Sequence, residues 1–135
     1  MAKRLLPLLP PHKCYVEPFC GGLGFFAQKP RSQIEVINDQ DGQLVNLFRC
    51  VKYHPAELDR ELEYHIAGRE NFVEFQKQPG FTDIQRAARF LFRNRLSFGG
   101  DAHSFGIQRG GAQETGSSIK AARLLFKDLA DRLDR

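Results

Sequence analysis

The chain has 135 residues, enough for one globular domain, and 41% of them are apolar, including 12 phenylalanines that can supply a core. Its 20 Lys plus Arg exceed its 16 Asp plus Glu, and the resulting net charge of +4 mildly favours a polyanionic partner. No apolar run is long enough to cross a membrane, and prolines interrupt the leucines near the amino terminus, so a cytoplasmic protein without a signal peptide is expected.

The first third of the chain predicts two short strands with a glycine-rich connection between them. Residues 4–9 are expected to form the end of a helix that Pro10-Pro11 terminates. Residues 14–18 and 34–37 contain β-branched and aromatic side chains and predict strands. Between them stands Gly-Gly-Leu-Gly at residues 21–24, here named the glycine turn, which a helix is expected to follow.

The middle of the chain predicts three helices. Asp41 is placed to cap the first, and Pro55 opens the second, which Gly68 is expected to end. A short helix over about 70–77 ends at Pro79-Gly80. The apolar residues in helical register are Leu44, Val45, Phe48 and Val51 in the first helix, and Leu58, Leu62 and Ile66 in the second.

The last third predicts two helices separated by a loop. Thr82 and Gln85 match the capping-box pattern ahead of a helix over 82–96. Residues 97–118 show neither helical nor alternating periodicity and predict a long loop, either functional or disordered. A final helix is expected to begin at Ser117 or Ser118, with an apolar stripe of Ile119, Ala122, Leu125, Phe126, Leu129 and Leu133.

Cysteine and histidine residues do not form a recognisable metal or catalytic pattern. The three cysteines, Cys14, Cys20 and Cys50, are expected to be small buried apolar side chains. The four histidines are scattered, which predicts no metal site. His103 and Ser104 are adjacent but have no nearby acid to orient the imidazole, so no nucleophile pair is expected there.

The glycine turn and the acid after the second strand predict part of a nucleotide-cofactor site. Glycine lets a ligand lie against bare backbone and reaches positive φ without strain. Asp39 follows Gly21 by 18 residues, and its carboxylate can accept two hydrogen bonds from a ribose diol. The pattern fits two kinds of nucleotide-containing cofactor. A dinucleotide is disfavoured, because its motif needs a third glycine where Phe25, Phe26 and Ala27 stand. A plain strand-to-helix turn, with the acid as a helix cap, is the structural alternative.

Three separated stretches carry a family resemblance in the right order. Residues 15–24, Tyr-Val-Glu-Pro-Phe-Cys-Gly-Gly-Leu-Gly, match a first motif. Residues 37–41 match a strand that ends in an acid and runs into a helix. Residues 87–100 end in Asn-Arg-Leu-Ser-Phe-Gly-Gly, which looks like an Asn-Arg-x-x-Phe/Tyr-Asn/Gly-Gly element ahead of a DNA-contacting loop. Together they closely resemble the Dam-like adenine-N6 DNA methyltransferases, which depend on S-adenosylmethionine.

The resemblance covers the chain from about residue 14 to its end and implies its fold. An α/β structure is expected, an incomplete class I S-adenosylmethionine-dependent methyltransferase (Rossmann-like) fold with a helical DNA-recognition insertion. Residues 1–53 would be the cofactor-binding part of the sheet. Residues 54–116 would be the helical target-recognition and DNA-contacting insertion, and residues 117–135 a helix returning to the catalytic domain.

The resemblance also implies that S-adenosylmethionine is the cofactor and that it lies against the glycine turn. The residues expected to contact it are Glu17, Pro18, Phe19, Gly21, Gly22, Gly24 and Asp39. Phe19 could instead be part of the core.

Double-stranded DNA is the expected macromolecular partner. Arg86, Arg89 and Arg93, here named the arginine row, share one helical face opposite Phe90 and Leu91 and can hold phosphates. A solvated basic face is the alternative from spacing alone. With the resemblance added, the residues expected to contact DNA are Arg86, Arg89, Arg93, Asn94, Arg95, Ser97, Phe98 and Arg109.

No catalytic residue can be assigned in this chain. Adenine-N6 methyltransferases of the family carry an Asp-Pro-Pro-Tyr motif that holds a flipped adenine, and the only Pro-Pro pair here, Pro10-Pro11, lacks the flanking acid and tyrosine. The chain is therefore expected to be an amino-terminal part, inactive alone and completed by a second chain carrying the catalytic half. The alternatives are a non-catalytic DNA-binding remnant or regulator, and a nucleotide-binding oxidoreductase fragment, which the glycine spacing disfavours.

Overall fold

The computed structural model describes residues 2–97, 105 and 112–133. The fold is rich in helix and contains one small parallel sheet. Contacts divide the chain into two compact units, Met1–Val45, named the amino-terminal unit, and Asn46–Arg135, named the helical unit. The segments 1–53, 54–116 and 117–135 were predicted by their functional roles. Compactness alone does not test those roles, so these boundaries stay a prediction.

The amino-terminal unit begins with a short helical segment and continues into the sheet. Helix α1 (Ala2–Leu5) runs into a 3-10 helix at Leu6–Leu8, and the helical segment ends before Pro10-Pro11, as predicted. Strands β1 (Cys14–Glu17) and β2 (Ile34–Ile37) pair in parallel. The strand predictions are confirmed, because the two segments differ from the predicted bounds by one residue at most.

One face of this sheet is apolar and exposed to solvent. The register places Cys14 opposite Ile34 and Val16 opposite Val36, and these four residues form what is here named the apolar sheet face. The exposed fractions are 55% for Val16, 58% for Ile34 and 45% for Val36. Parallel strands are usually covered on both faces. The side chains of this face are therefore of the type that is normally buried, although they are exposed.

The connection between the strands is a series of hydrogen-bonded turns, and the helix predicted there is absent from these described residues. Within residues 23–29, Ala27 N–H donates to the carbonyl of Leu23 and Lys29 N–H donates to that of Phe25, but no continuous ladder forms. Leu23 and Phe26 are buried. Burial of these two side chains therefore stabilises the connection, which lacks regular helical hydrogen bonding.

The helical unit contains most of helix α2 (Gly42–Tyr53) and all of α3 (Pro55–Glu63), α4 (Arg69–Lys77), α5 (Asp83–Leu96) and α6 (Ala112–Leu133). Its core includes an aromatic cluster in which Phe75 and Phe92 pack edge to face. The cluster consists of Phe72, Phe75, Phe92, Leu96 and Ile119, with Ala67 and Phe105 packed against it. An ion pair between Arg123 and Asp59, with contacts of 2.6 and 3.1 Å, joins α6 to α3.

The helix starts of α2 and α5 follow their caps. Gln43 N–H donates to the carboxylate of Asp41 at 2.9 Å, which confirms that acid as the cap of α2. Gln85 N–H donates to the hydroxyl of Thr82 at 3.1 Å, and the Gln85 side chain accepts from the N–H of Phe81. The predicted capping box is thus formed, with its return bond one residue earlier than the usual pattern.

Other predictions about these elements were wrong. Helix α3 ends at Glu63, not at Gly68, which instead precedes α4, and Ile66 lies outside the helix with 76% of its surface exposed. Helix α6 begins at Ala112, so residues 112–118 of the predicted loop are helical, and the helix does not start at Ser117 or Ser118. Cys14 is exposed, whereas Cys20 and Cys50 are buried as predicted.

A search of the described helices for one that is both long and apolar enough to traverse a lipid bilayer found none.

Candidate functional site

The glycine turn is tied to the carboxyl ends of both strands. Asn38 N–H donates to the carbonyl of Glu17 at 2.9 Å, which continues the ladder beyond β1. Cys20 N–H then donates to the carbonyl of Asn38, also at 2.9 Å. These two bonds bring the start of the turn next to the segment that carries Asp39.

Asp39 contacts the glycine turn directly. One carboxylate oxygen accepts the N–H of Gly21 at 2.9 Å, and the other accepts the N–H of Asp41 at 3.0 Å. Hydrogen bonds from the backbone amides of Asp41 and Gly21, and to a lesser extent Gln40, lower the pKa of this carboxyl below its ordinary value of 3.8. The acid is therefore held in its ionised form, and the turn and the acid meet as their spacing predicts.

The turn has the backbone conformation that its sequence favours, with one exception. Gly21 adopts φ +47°, where glycine carries no steric penalty. Leu23 adopts φ +57°, which is strained for a residue with a branched side chain, and burial of that side chain offsets the strain. A Cβ at Gly22 or Gly24 would meet no atom within 4 Å. Open space therefore lies over the backbone of the turn, where a ligand can approach it.

The three residues before the turn have different surroundings. Glu17 accepts a hydrogen bond from the hydroxyl of Tyr15 at 3.1 Å, and the carbonyl of Pro18 accepts one from Asn38 at 3.4 Å. Phe19 is 74% exposed. Of the two roles considered for Phe19, the core role is excluded, and a role in lining a ligand site stays a prediction.

In the arginine row, Arg86 and Arg89 make contacts with the segment before α5. Arg86 bonds to the carbonyl of Phe81 at 3.1 Å and pairs with Asp83. Arg89 donates to the carbonyl of Gln78 at 2.7 Å, and its guanidinium lies 4.8 Å from the centre of the Phe75 ring. Both side chains thus hold the connection between α4 and α5 and stabilise the start of α5.

The remaining DNA-contact candidates lie near the end of α5. Arg93 and Asn94 are partly buried, whereas Arg95 is exposed. The Ser97 hydroxyl donates to the carbonyl of Asn94 at 3.1 Å. Phe98 and Arg109, also predicted to contact DNA, and the His103 and Ser104 pair lie outside the described residues.

Phe105 is a structural anchor that sequence reasoning missed. Ser97 forms an isolated antiparallel bridge with Phe105, and the Phe105 ring packs 5.4 Å from that of Phe72. Arg69 lies over the same ring at 5.6 Å. The available signal was a large aromatic between Ser104 and Gly106 in the sequence, because such a side chain gains much from burial.

Lys29 was also missed, although it is the charged residue most completely buried, 3% exposed, in the part of the chain that the structure describes. Its ammonium contacts Glu35 at 2.5 Å and lies 4.4 Å from the centre of the Tyr15 ring. Lysine is rarely buried without partners. No sequence pattern identified this residue, because Lys29 and Glu35 are six residues apart and become partners only when the connection folds onto β2.

One cleft in the helical unit lies between the end of α2 and the start of α5. It has a volume of about 160 Å³ and is lined by residues that include Arg49, Tyr53, His54 and Asp83. None of the residues predicted to bind the cofactor lines it. A search of the described residues for three or more clustered His, Cys, Asp or Glu that could hold a metal ion found no such group.

The chain is similar to known DNA methyltransferases. Residues 1–102 match the family model described as D12 class N6 adenine-specific DNA methyltransferase. The chain is also similar to the Type II methyltransferase M1.LlaDCHI of Lactococcus lactis subsp. cremoris, with 33% identity over 97 residues. That alignment covers 64% of this chain and 33% of the relative, so the chain spans about a third of the relative's length.

Proposed function

We propose a role for this chain that follows from its family, because the chain belongs to the D12 class of N6 adenine-specific DNA methyltransferases. Its amino-terminal unit supplies half of the site for S-adenosylmethionine, the cofactor that provides the methyl group when bound. The glycine turn, Glu17, Pro18, Phe19 and Asp39 form this half-site. The chain thereby serves methylation of adenine in duplex DNA.

The hydrogen bond between Gly21 and Asp39 is the observation that carries this proposal. It places an ionised carboxylate beside a turn whose Gly22 and Gly24 leave open space over the backbone. The amides of Gly21, Asp41 and, to a lesser extent, Gln40 use part of the acceptor capacity of this carboxylate. A carboxylate has about four lone-pair sites, so capacity is left for a ribose hydroxyl. The residues present therefore fit the adenosine end of the cofactor.

Methyl transfer itself requires residues that these 135 do not contain. The family resemblance implies an Asp-Pro-Pro-Tyr element at the target adenine, and this sequence has none. We therefore assign cofactor binding and DNA contact to this chain, and the transfer step to a polypeptide that carries that element. The chain alone is expected to be inactive.

Isothermal titration of the 135-residue chain with S-adenosylmethionine tests the half-site. Asp39→Ala removes both amide contacts and the ribose acceptor, so binding is expected to be lost. Asp128→Asn removes an exposed carboxylate of α6 and is the matched control, with wild-type affinity expected. Equal binding by wild type and Asp39→Ala would reject the assignment of this acid, and a folded wild-type chain that binds no cofactor would reject the half-site.

DNA contact is the second part of the proposal. The contacts that Arg86 and Arg89 make within the protein reduce the set of residues assigned to DNA. Arg86 and Arg89 already hold the connection before α5, whereas Arg95 is exposed at its end. The carboxyl end of α5, with Arg93, Asn94, Arg95 and Ser97, is therefore the part of the predicted set that we assign to the DNA backbone, together with Phe98 and Arg109. Such contacts position a duplex without reading its sequence.

A further inference from the structure

Lys29 closes the connection between the two strands onto the sheet. Its ammonium donates to the carbonyl of Pro30 at 2.8 Å, to the hydroxyl of Ser32 at 2.9 Å and to the carboxylate of Glu35 at 2.5 Å. These oxygen acceptors compensate for the burial of its charge. Because Glu35 belongs to β2, the ion pair fixes the end of the connection to that strand.

The same ammonium also contacts β1. It lies 4.4 Å from the centre of the Tyr15 ring, within the range of a cation–π interaction. The Tyr15 ring also stacks on that of Phe25, which is nearly parallel to it at 6.4 Å. Tyr15 therefore links Lys29 and the residue that directly follows the glycine turn.

The contact chain ends at a residue of the proposed half-site. The Tyr15 hydroxyl donates to the carboxylate of Glu17 at 3.1 Å. Glu35 also accepts the N–H of Ser32 at 3.0 Å, which fixes the residues just before β2. Lys29, Tyr15 and Glu35, here named the lysine clamp, thus contact Phe25 directly after the turn, the residues before β2, and the acid that precedes the turn.

We infer that Lys29 is a positioning residue, which holds the glycine turn and Glu17 in the arrangement that binds the cofactor. It acts on the turn through its contacts with Tyr15 and Glu35. The turn needs such support, because Leu23 is strained and the connection has no continuous helical bonding. The part of this inference that concerns the cofactor rests on the proposed function, and the part that concerns the turn does not.

Amide hydrogen exchange of Gly21 tests the positioning of the turn without any ligand. Lys29→Met keeps the length and apolar stem of the side chain and removes the ammonium. We expect Gly21 exchange to accelerate about tenfold, in the direction of the reference variant Asp39→Ala, which lacks the acceptor of that amide. Lys13→Met, the same change at an exposed lysine of the same unit, should leave it unchanged.

Titration with S-adenosylmethionine separates positioning from simple stabilisation. Lys29→Met is expected to weaken binding about tenfold, but to add no further loss in a Glu17→Gln background, because its effect passes through Glu17. Tyr15→Phe, which removes only the hydroxyl, should give part of the same loss with the same dependence on Glu17. Additive losses in both double variants would overturn the inference, since a merely structural lysine would act independently of Glu17.

The possible failures are distinguishable. If Lys29→Met speeds Gly21 exchange but the wild type binds no cofactor, the positioning of the turn stands and the proposed function fails. If Gly21 exchange matches the wild type in Lys29→Met while Asp39→Ala accelerates it, the inference fails whatever the affinity. Should Lys29→Met not fold, Glu35→Gln takes its place in both measurements, because it keeps the acceptor oxygen and removes only the charge.

Discussion

His65 is an ionisable residue buried in the helical unit. Its ring lies 4.8 Å from Phe75 of α4 and 5.5 Å from Phe92 of α5, and its Nε2 is 3.7 Å from the carboxylate of Glu61 in α3. Its Nδ1 is buried, and no hydrogen-bond partner is found for it among the described residues. Burial lowers the pKa of this imidazole below 6.5, Glu61 opposes that shift, and Arg89 adds to it.

The depressed pKa predicts how stability changes with pH. A histidine that stays neutral in the fold protonates more readily when unfolded, so acid favours the unfolded chain. The loss begins as pH falls through 6.5 and levels off below the folded pKa. We expect the urea midpoint of the helical unit to be lower at about pH 5 than at about pH 7.5.

His65→Phe, which suits the aromatic surroundings, should flatten that dependence, whereas His54→Gln at an exposed histidine should retain it. Urea unfolding followed by circular dichroism at the two pH values is the measurement. An unchanged pH dependence in His65→Phe would assign the titration to another group.

Helix α5 depends on its amino-terminal cap. Thr82 and Gln85 satisfy two backbone amides reciprocally, and the loss of such a cap typically costs about 1 kcal/mol. Thr82→Ala is therefore expected to lower the free energy of unfolding by about 1 kcal/mol, and Thr82→Ser to restore most of it. Chemical denaturation of the wild type and both variants is the measurement. An unchanged free energy of unfolding in Thr82→Ala would mean that Arg86 and Arg89, and not the cap, stabilise this end of α5.

The two ends of α5 are expected to differ in their effect on DNA binding. Arg95→Ala should weaken duplex binding and reduce its salt slope by about 1, as expected for one lost phosphate contact. Arg89→Ala should instead lower stability, because its guanidinium binds Gln78 and Phe75. Fluorescence anisotropy of a labelled duplex across a salt series separates the two, and a larger loss of binding in a folded Arg89→Ala protein would reverse the assignment.

Local signals account for the elements that the sequence predicted well. Strands β1 and β2 and the start of α5 depend on residue types within a few positions, such as β-branched residues and a capping threonine. The meeting of Gly21 and Asp39 was predictable because parallel strands place their carboxyl ends at one edge. Those features needed no knowledge of distant contacts.

The elements that were predicted wrongly depend on tertiary contacts. Ile66 continues the spacing of α3, but the helix ends three residues earlier and this isoleucine is exposed. Gly116 and its neighbouring serines suggested a loop where α6 has already begun. The lysine clamp was unpredictable for the same reason, since Glu35 and Lys29 become partners only when the connection folds onto the sheet.

The amino-terminal unit exposes more apolar surface than a complete parallel sheet would. Val16, Ile34 and Val36 lie side by side on the apolar sheet face, and exposed patches of this kind mark interaction surfaces or promote aggregation. A polypeptide supplying the Asp-Pro-Pro-Tyr element is the expected cover under the proposed function. Val36→Thr keeps the β-branched shape and makes the face more polar.

We expect Val36→Thr to bind less of a hydrophobic fluorescent dye than the wild type and to be complemented less well by that polypeptide in a methylation assay. Val73→Thr, the same change at an exposed valine of α4, is the matched control. If Val36→Thr kept full complementation with the dye signal reduced, the cover would lie elsewhere.

Cys14 gives this face a native chemical reporter. Its thiol lies on the apolar sheet face, opposite Ile34, whereas Cys20 and Cys50 are buried. Burial raises the pKa of both buried thiols, with nearby Asp39 adding to the effect at Cys20 and Asp83 at Cys50. An alkylating reagent should therefore modify Cys14 first, and protection of that single sulfur would reveal, without any mutation, when a partner has covered the sheet.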